Sequence, residues 1–165
     1  LIFMKFLLAG VLLIIQSFTV FSMQKKEIYL AGGCYWGLEY LLQDLPGVMD
    51  TEVGFAGGSL ENATYDDVKT GLTGHAETIY ITYDEEVLSL EQLLFEFFRM
   101  HNPTTQNQQG NDIGTQYRSA IFYLNDEDKK IINEVISKVN QSGHWPDPVV
   151  TDVLPFKAFY AAQLD

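Results

Sequence analysis

The chain's one cysteine sits where two glycines join an apolar strand to a helix, in the run Leu30-Ala31-Gly32-Gly33-Cys34-Tyr35-Trp36-Gly37. Ile28-Tyr29-Leu30 reads as strand, and Leu38-Glu39-Tyr40-Leu41-Leu42 opens a helix. A strand, a glycine turn and a helix fix the chain's direction on both sides of the thiol. Paired glycines cost conformational entropy and let another group approach the backbone closely. Free N–H groups and the positive end of the helix dipole gather where a helix begins. That place suits a thiolate, the nucleophilic form of cysteine. Tyr35 and Trp36 give the sulfur an apolar wall, a setting for a small apolar electrophile. A lone cysteine is commonly a small buried hydrophobe. The strand–Gly-Gly–Cys–helix setting favours the reactive reading.

A length of 165 residues allows one domain with a sizeable core. The net charge of −12 makes nucleic acid and anionic membrane surfaces poor partners. With one cysteine there is no intramolecular disulfide and no cysteine-based metal site. His75, His101 and His144 form no ligand pair at helical or strand spacing, so nothing points to a metal. The N-terminus has a separate character. Met4-Lys5 precedes the apolar run Phe6 to Ile15, and Val20-Phe21-Ser22 offers a small residue at a cleavage position. Residues 1–22 are expected to be a secretory signal peptide, or a retained membrane anchor, and 23–165 the folded domain. The expected location is then periplasmic or secreted. It is cytoplasmic if Met23 is the true start. The sequence starts at Leu1 and stops at Asp165 without an end signal, so both ends are expected to be truncated.

Hydrophobic spacing predicts a helix from Tyr35 to Leu45, ended by Pro46-Gly47, then a strand from Val48 to Phe55. One helical turn follows at Tyr65 to Lys69, and a strand from His75 to Tyr83. Ser89 with Gln92 forms a capping box for a helix whose apolar face is Leu90, Leu93, Leu94, Phe97 and Phe98. Asn102 to Gln116 reads as a polar loop with no structure of its own, a length that is often functional. Tyr117 to Leu124 reads as strand. Asn125 or Asp126 caps a helix to Val139, with Ile131, Ile132, Val135, Ile136 and Val139 as its stripe. Val149 to Leu154 reads as a last strand, and a helix is expected from Ala158. The order β-α-β-β-α-β-α-β points to one mixed sheet with helices packed against it.

Glu77 shares a strand face with Ile79, Ile81 and Tyr83. A carboxyl group there is poorly solvated, so its pKa rises and it can donate a proton near neutrality. Taken alone, a frayed strand end with Glu77 in water is the commoner case. Tyr117 closes the polar loop at a place from which a phenol can enter a pocket. Asp112 can hold the loop's shape by accepting hydrogen bonds. Tyr65 sits on a short turn between glycine-containing stretches, where a packed surface aromatic is the commoner reading.

Four runs together resemble the peptide-methionine (S)-S-oxide reductases, or methionine sulfoxide reductase A family. They are Gly33-Cys34-Tyr35-Trp36-Gly37, Gly54-Phe55-Ala56-Gly57-Gly58, Thr73-Gly74-His75-Ala76-Glu77, and the block His101 to Ser119. They come in the family's order and spacing and span about residues 27–162. The resemblance implies an α+β two-layer sandwich of ferredoxin-like type, a mixed sheet with packed helices. It implies thiol-dependent reduction of the S epimer of methionine sulfoxide, free or in proteins, and so repair of oxidised proteins. By the same resemblance Cys34 is the nucleophile that becomes a sulfenic acid. Glu77 protonates the sulfoxide oxygen, and Tyr65 and Tyr117 hydrogen-bond it. Trp36 holds the methyl group beside Tyr35, which stands where the family usually has phenylalanine. Asp112 binds the backbone amine of the substrate. No cofactor is implied beyond an external thiol reductant such as thioredoxin. Many family members carry resolving cysteines. Lys69 stands where some have one, and no second cysteine is present here.

Two other readings stay open on sequence alone. In a cysteine hydrolase or acyltransferase, His75 or His101 would be the base for Cys34. In a binding module, the site would hold oxidised methionine without reducing it.

Overall fold

A computed structural model describes residues 22–163. The leader expected over residues 1–22 therefore lies, apart from Ser22, outside the described residues. The elements in chain order are β1 (Lys25–Gly32), α1 (Tyr35–Leu42), β2 (Val48–Ala56), α2 (Tyr65–Val68), β3 (Ala76–Asp84) and α3 (Leu90–Met100). There follow β4 (Gln108–Gln109), β5 (Asp112–Ile113), a 3-10 turn at Thr115–Tyr117, β6 (Ser119–Tyr123), α4 (Asp126–Ser142), β7 (Asp152–Pro155) and β8 (Phe159–Ala161). No helix among the described residues is long and apolar enough to cross a membrane.

Six strands form one sheet in the order β7-β6-β1-β3-β2-β8. Its centre, β6-β1-β3-β2, is antiparallel throughout. With α1 between β1 and β2, and α3 between β3 and β6, this is the split β-α-β arrangement expected of a ferredoxin-like sandwich. β7 pairs parallel with β6, which makes the sheet mixed, and α4 supplies the crossover between them.

Alternation along the strands separates two faces. Ile28, Leu30, Val53, Phe55, Ile79, Ile81, Tyr83 and Ile121 point to the face covered by α1, α3 and α4. The α3 stripe read from sequence is fully inside: Leu90, Leu93, Leu94, Phe97 and Phe98 are all buried. Each such side chain contributes roughly 1.5–3 kcal/mol of transfer free energy. Its capping box is present, with the Gln92 N–H donating to Ser89 Oγ at 3.2 Å and the Ser89 N–H to Gln92 Oε1 at 3.0 Å. Asn125, not Asp126, caps α4, accepting from the Asp128 N–H at 2.8 Å. On α4 only Ile132, Val135 and Val139 of the expected stripe are buried, and Ile131 and Ile136 pack at its margins. The opposite face holds Tyr29, Ala31, Ala56, Ala76, Ala120 and Phe122. There the Tyr29 ring stacks on Phe156, with centroids 4.0 Å apart.

Four expectations are corrected. α1 stops at Leu42, and Leu45 is reached by a turn in which its N–H donates to the Leu42 carbonyl. The polar loop has structure of its own, a β4–β5 hairpin and a 3-10 turn. Tyr117 belongs to that turn, and the strand begins at Ser119. The helix expected from Ala158 is the strand β8, paired with the outer edge of β2 through Gly54, Phe55 and Ala56. Glycine at position 54 explains the pairing. A Cβ there would collide with the Tyr160 carbonyl and lie 2.5 Å from Phe159 Cζ.

Gly54→Ala should therefore lower the unfolding free energy by about 1–3 kcal/mol, the usual cost of overpacking. Gly37 lies inside α1, where an added Cβ meets nothing within 4 Å. Gly37→Ala should raise stability by roughly 0.5 kcal/mol. Urea unfolding of the two variants should shift in opposite directions, and shifts of the same sign would count against this account of β8.

Candidate active site

Cys34 is the N-cap residue of α1 and is exposed. Its carbonyl accepts the first helical hydrogen bond, from the Leu38 N–H at 3.2 Å. Its side chain makes no capping bond, so the sulfur is left for other chemistry. The two glycines before it are filled from different directions. A Cβ on Gly32 would sit 3.0 Å from the His101 ring and 3.2 Å from Phe97. Gly33 has φ +91°, and a Cβ there would lie 2.6 Å from Gln109 Cγ. The close approach that Gly-Gly predicted is thus real on both residues.

Gln109 is a part of the site that residue-type reasoning missed. Its Oε1 accepts from the Asn102 N–H at 3.0 Å, and its Nε2 donates to the Asn102 carbonyl at 2.9 Å. This two-point grip folds the polar loop down onto Gly33. The only sequence signal was the glycine itself, which marks where a neighbour arrives but not which one.

Glu77 provides the cap that Cys34 does not. The Tyr35 N–H donates to Glu77 Oε2 at 3.0 Å in a buried bond. Glu77 is 3% exposed, so the frayed-end reading is set aside. Burial pushes its carboxyl up to about 7, the Tyr35 hydrogen bond pulls the other way, and the charge of Asp112 adds to the rise. A group so placed is part protonated at neutral pH. It can give a proton to an oxygen lying next to Cys34.

Tyr35 is 3% exposed, with its ring 5.8 Å from both Trp36 and Phe55. Burial, then Glu77, Tyr65, Cys34 and Tyr117, hold its phenol up to about 12. Burial likewise raises Tyr117, followed by the charges of Glu77, Tyr65, Asp112 and Cys34. Each phenol therefore feels the other site residues, and both stay neutral donors. Tyr65 opens α2 and is 46% exposed. Trp36 is 59% exposed, two residues after Cys34 in the chain. Asp112 is exposed on β5, in register with Gln109 of β4. Cys34, Tyr35, Tyr65, Glu77, Asp112 and Tyr117 are thus near enough to act on one another's charge, with Trp36 packed against Tyr35. A cleft of about 490 Å³ between Gly57, Thr73, Phe122 and Leu154 contains none of them.

Neither candidate histidine is free to act as a base for Cys34. The Gly58 N–H donates to His75 Nδ1 at 3.0 Å, so the proton is on Nε2, which donates to the Leu60 carbonyl at 2.8 Å. His101 donates from Nδ1 to the Phe97 carbonyl at 2.7 Å, and its Nε2 faces Ser119 Oγ at 2.7 Å. Burial holds His101 down to about 4. Both rings are fully engaged in holding loops, which removes the cysteine–histidine hydrolase reading. Among the described residues there is no cluster of three metal-ligating side chains.

Residues 26–164 match the family model for peptide methionine sulfoxide reductase. Peptide methionine sulfoxide reductase MsrA of Clostridium botulinum (strain Hall) is 49% identical over 138 residues, which cover 84% of this chain and 87% of that protein. The reduced form of Mxr1 from Saccharomyces cerevisiae superposes with a TM-score of 0.79 at 35% identity, covering 84% of this chain and 80% of that one. Mxr1 solved in complex with Trx2 gives a TM-score of 0.61 at 26% identity over 86% of each chain. With the family model matched over residues 26–164 and a relative 49% identical over most of both chains, the chain belongs to the peptide methionine sulfoxide reductase family.

Proposed function

We propose that the protein reduces the S epimer of methionine sulfoxide, free or in proteins, with Cys34 as nucleophile and Glu77 as acid. The observation that carries this reading is the buried Tyr35 N–H to Glu77 bond, which sets a carboxyl poised near neutrality beside the cysteine. A sulfoxide sulfur is a poor electrophile until its oxygen is protonated or strongly hydrogen-bonded. Glu77 protonates that oxygen while the hydroxyls of Tyr65 and Tyr117 donate to it. The substrate methyl group lies against Trp36 over the buried Tyr35 ring, and Asp112 accepts from the substrate's backbone amine. A methyl wall on one side and oxygen donors on another distinguish the two sulfoxide hands, and each of two reductase classes takes one epimer.

The electrons balance in two steps. The Cys34 thiolate attacks the sulfoxide sulfur, oxygen passes to Cys34, and methionine leaves. The substrate sulfur gains two electrons and Cys34 becomes a sulfenic acid. Two external thiols then give Cys34 thiol, a disulfide and water. Cys34 is the one cysteine in the sequence, so those thiols come from outside these 165 residues. The Mxr1–Trx2 complex supports a thioredoxin-type reductant. The apolar leader supports an exported enzyme, whose reductant then works on the same side of the membrane.

A single-turnover assay without recycling thiol should give about one methionine per protein, from the S epimer only, and a dimedone-reactive Cys34. Cys34→Ser should form none. Product from neither epimer would leave the site a binding module for oxidised methionine. The second expectation concerns pH. Because the Glu77 carboxyl is raised, its proton is present below about 7 and lost above it. At a given thiolate fraction, the first reductive step should fall about tenfold per pH unit on the alkaline side of that value. Glu77→Gln should slow the step by about 100-fold at neutral pH and abolish that descending limb. A limb that persists in Glu77→Gln would assign the proton to another group.

A further inference from the structure

Among the described residues, one buried side-chain polar atom has no partner. It is Oε1 of Gln116, in a residue only 6% exposed. The other end of that amide is engaged, with Nε2 donating to the Lys69 carbonyl at 3.3 Å. Lys69 is the C-cap residue of α2, and its N–H donates to the Tyr65 carbonyl at 2.9 Å. Thr115 adds a second tie, its hydroxyl donating to the Gly71 carbonyl at 3.1 Å. Two glycines make room for the amide. A Cβ on Gly71 would lie 3.3 Å from Oε1, and one on Gly114 would collide with it.

α2 is a single turn of four residues, too short to hold its own place. Its N-terminus is fixed locally by the Thr64–Asp67 capping box. Its C-terminal carbonyls are the orphans that every helix end leaves. Gln116 answers one of them from the neighbouring turn. The tie therefore runs from Tyr65 through Lys69 and Gln116 to Tyr117, the adjacent residue. An unpaired buried acceptor is costly. Methionine would fill the same space without it, so what the amide supplies is its placed donor.

We propose that Gln116 is a positioning residue that sets the gap between the Tyr65 and Tyr117 hydroxyls. It thereby sets how tightly the substrate's oxygen is held between them. This rests on the assignment of those phenols as oxygen donors under the proposed function. Gln116 touches neither substrate nor Cys34 in this role.

The test is a two-background comparison of single-turnover rates on a blocked methionine-S-sulfoxide. Gln116→Met should slow the step about tenfold or more in the parental chain, with an unchanged or higher thermal midpoint. In the Tyr65→Phe/Tyr117→Phe background the same substitution should change the rate less than twofold, because no phenols remain to be positioned. A near-parental rate for Gln116→Met would overturn the proposal. Equal loss in both backgrounds would overturn it too, showing a merely structural role. If Gln116→Met does not fold, Gln116→Leu, which also lacks the donor, carries the same comparison and is judged by the same two results. Absence of turnover in the parental protein would instead sink the functional reading itself.

Discussion

One hydrogen bond organises the chemistry of this protein, the Tyr35 N–H donating to Glu77. It joins the first residue of α1 to the second residue of β3, elements more than forty positions apart in sequence. A helix start needs acceptors for its N–H groups, and a small side chain at the N-cap commonly supplies one. Here the N-cap is Cys34, whose side chain makes no capping bond, and the acceptor is borrowed from the sheet. The same bond thus leaves the sulfur unencumbered and holds the acid at a fixed place next to it. Burial and hydrogen bonding act on Glu77 in opposite directions, and burial wins. The result is a carboxyl that changes protonation near neutrality without a cationic partner.

The core was legible in the sequence because its signals are local. Leu90, Leu93, Leu94, Phe97 and Phe98 repeat at helical spacing, Ser89 and Gln92 announce the cap, and all of them appear where the pattern puts them. Gly32-Gly33 was legible as a place of close approach. The identities of the neighbours, His101 above one and Gln109 above the other, were not, since nothing local encodes a contact across the loop. β8 was misread for a related reason. Phe159-Tyr160-Ala161 is too short to declare a strand, and it becomes one by finding the open edge of β2 where Gly54 leaves room. The hairpin of β4 and β5 was invisible because its hold on the core is made by side chain to backbone bonds of Gln109, not by apolar periodicity.

The two buried histidines illustrate how residue type misleads when geometry is absent. Both sit near glycines of the site and both are conventional bases. Yet the Gly58 N–H fixes the tautomer of His75, and His101 lies in a relay from Phe97 through Ser119 to Thr151. The His75 ring ties down the loop at Gly58 and Leu60, and the His101 ring lies against Gly32, just before Cys34.

The stretch from Asp152 to Ala161 closes the sheet on both sides. β7 covers the outer edge of β6, β8 covers the outer edge of β2, and Phe156 lies against Tyr29 on the helix-free face between them. Sheet edges left bare are templates for pairing with other chains. One strap therefore guards two such edges. The same stretch is made after every strand it covers. During synthesis the central sheet waits, open-edged, for its closure, so this is the interval in which a nascent chain of this fold is most exposed to aggregation.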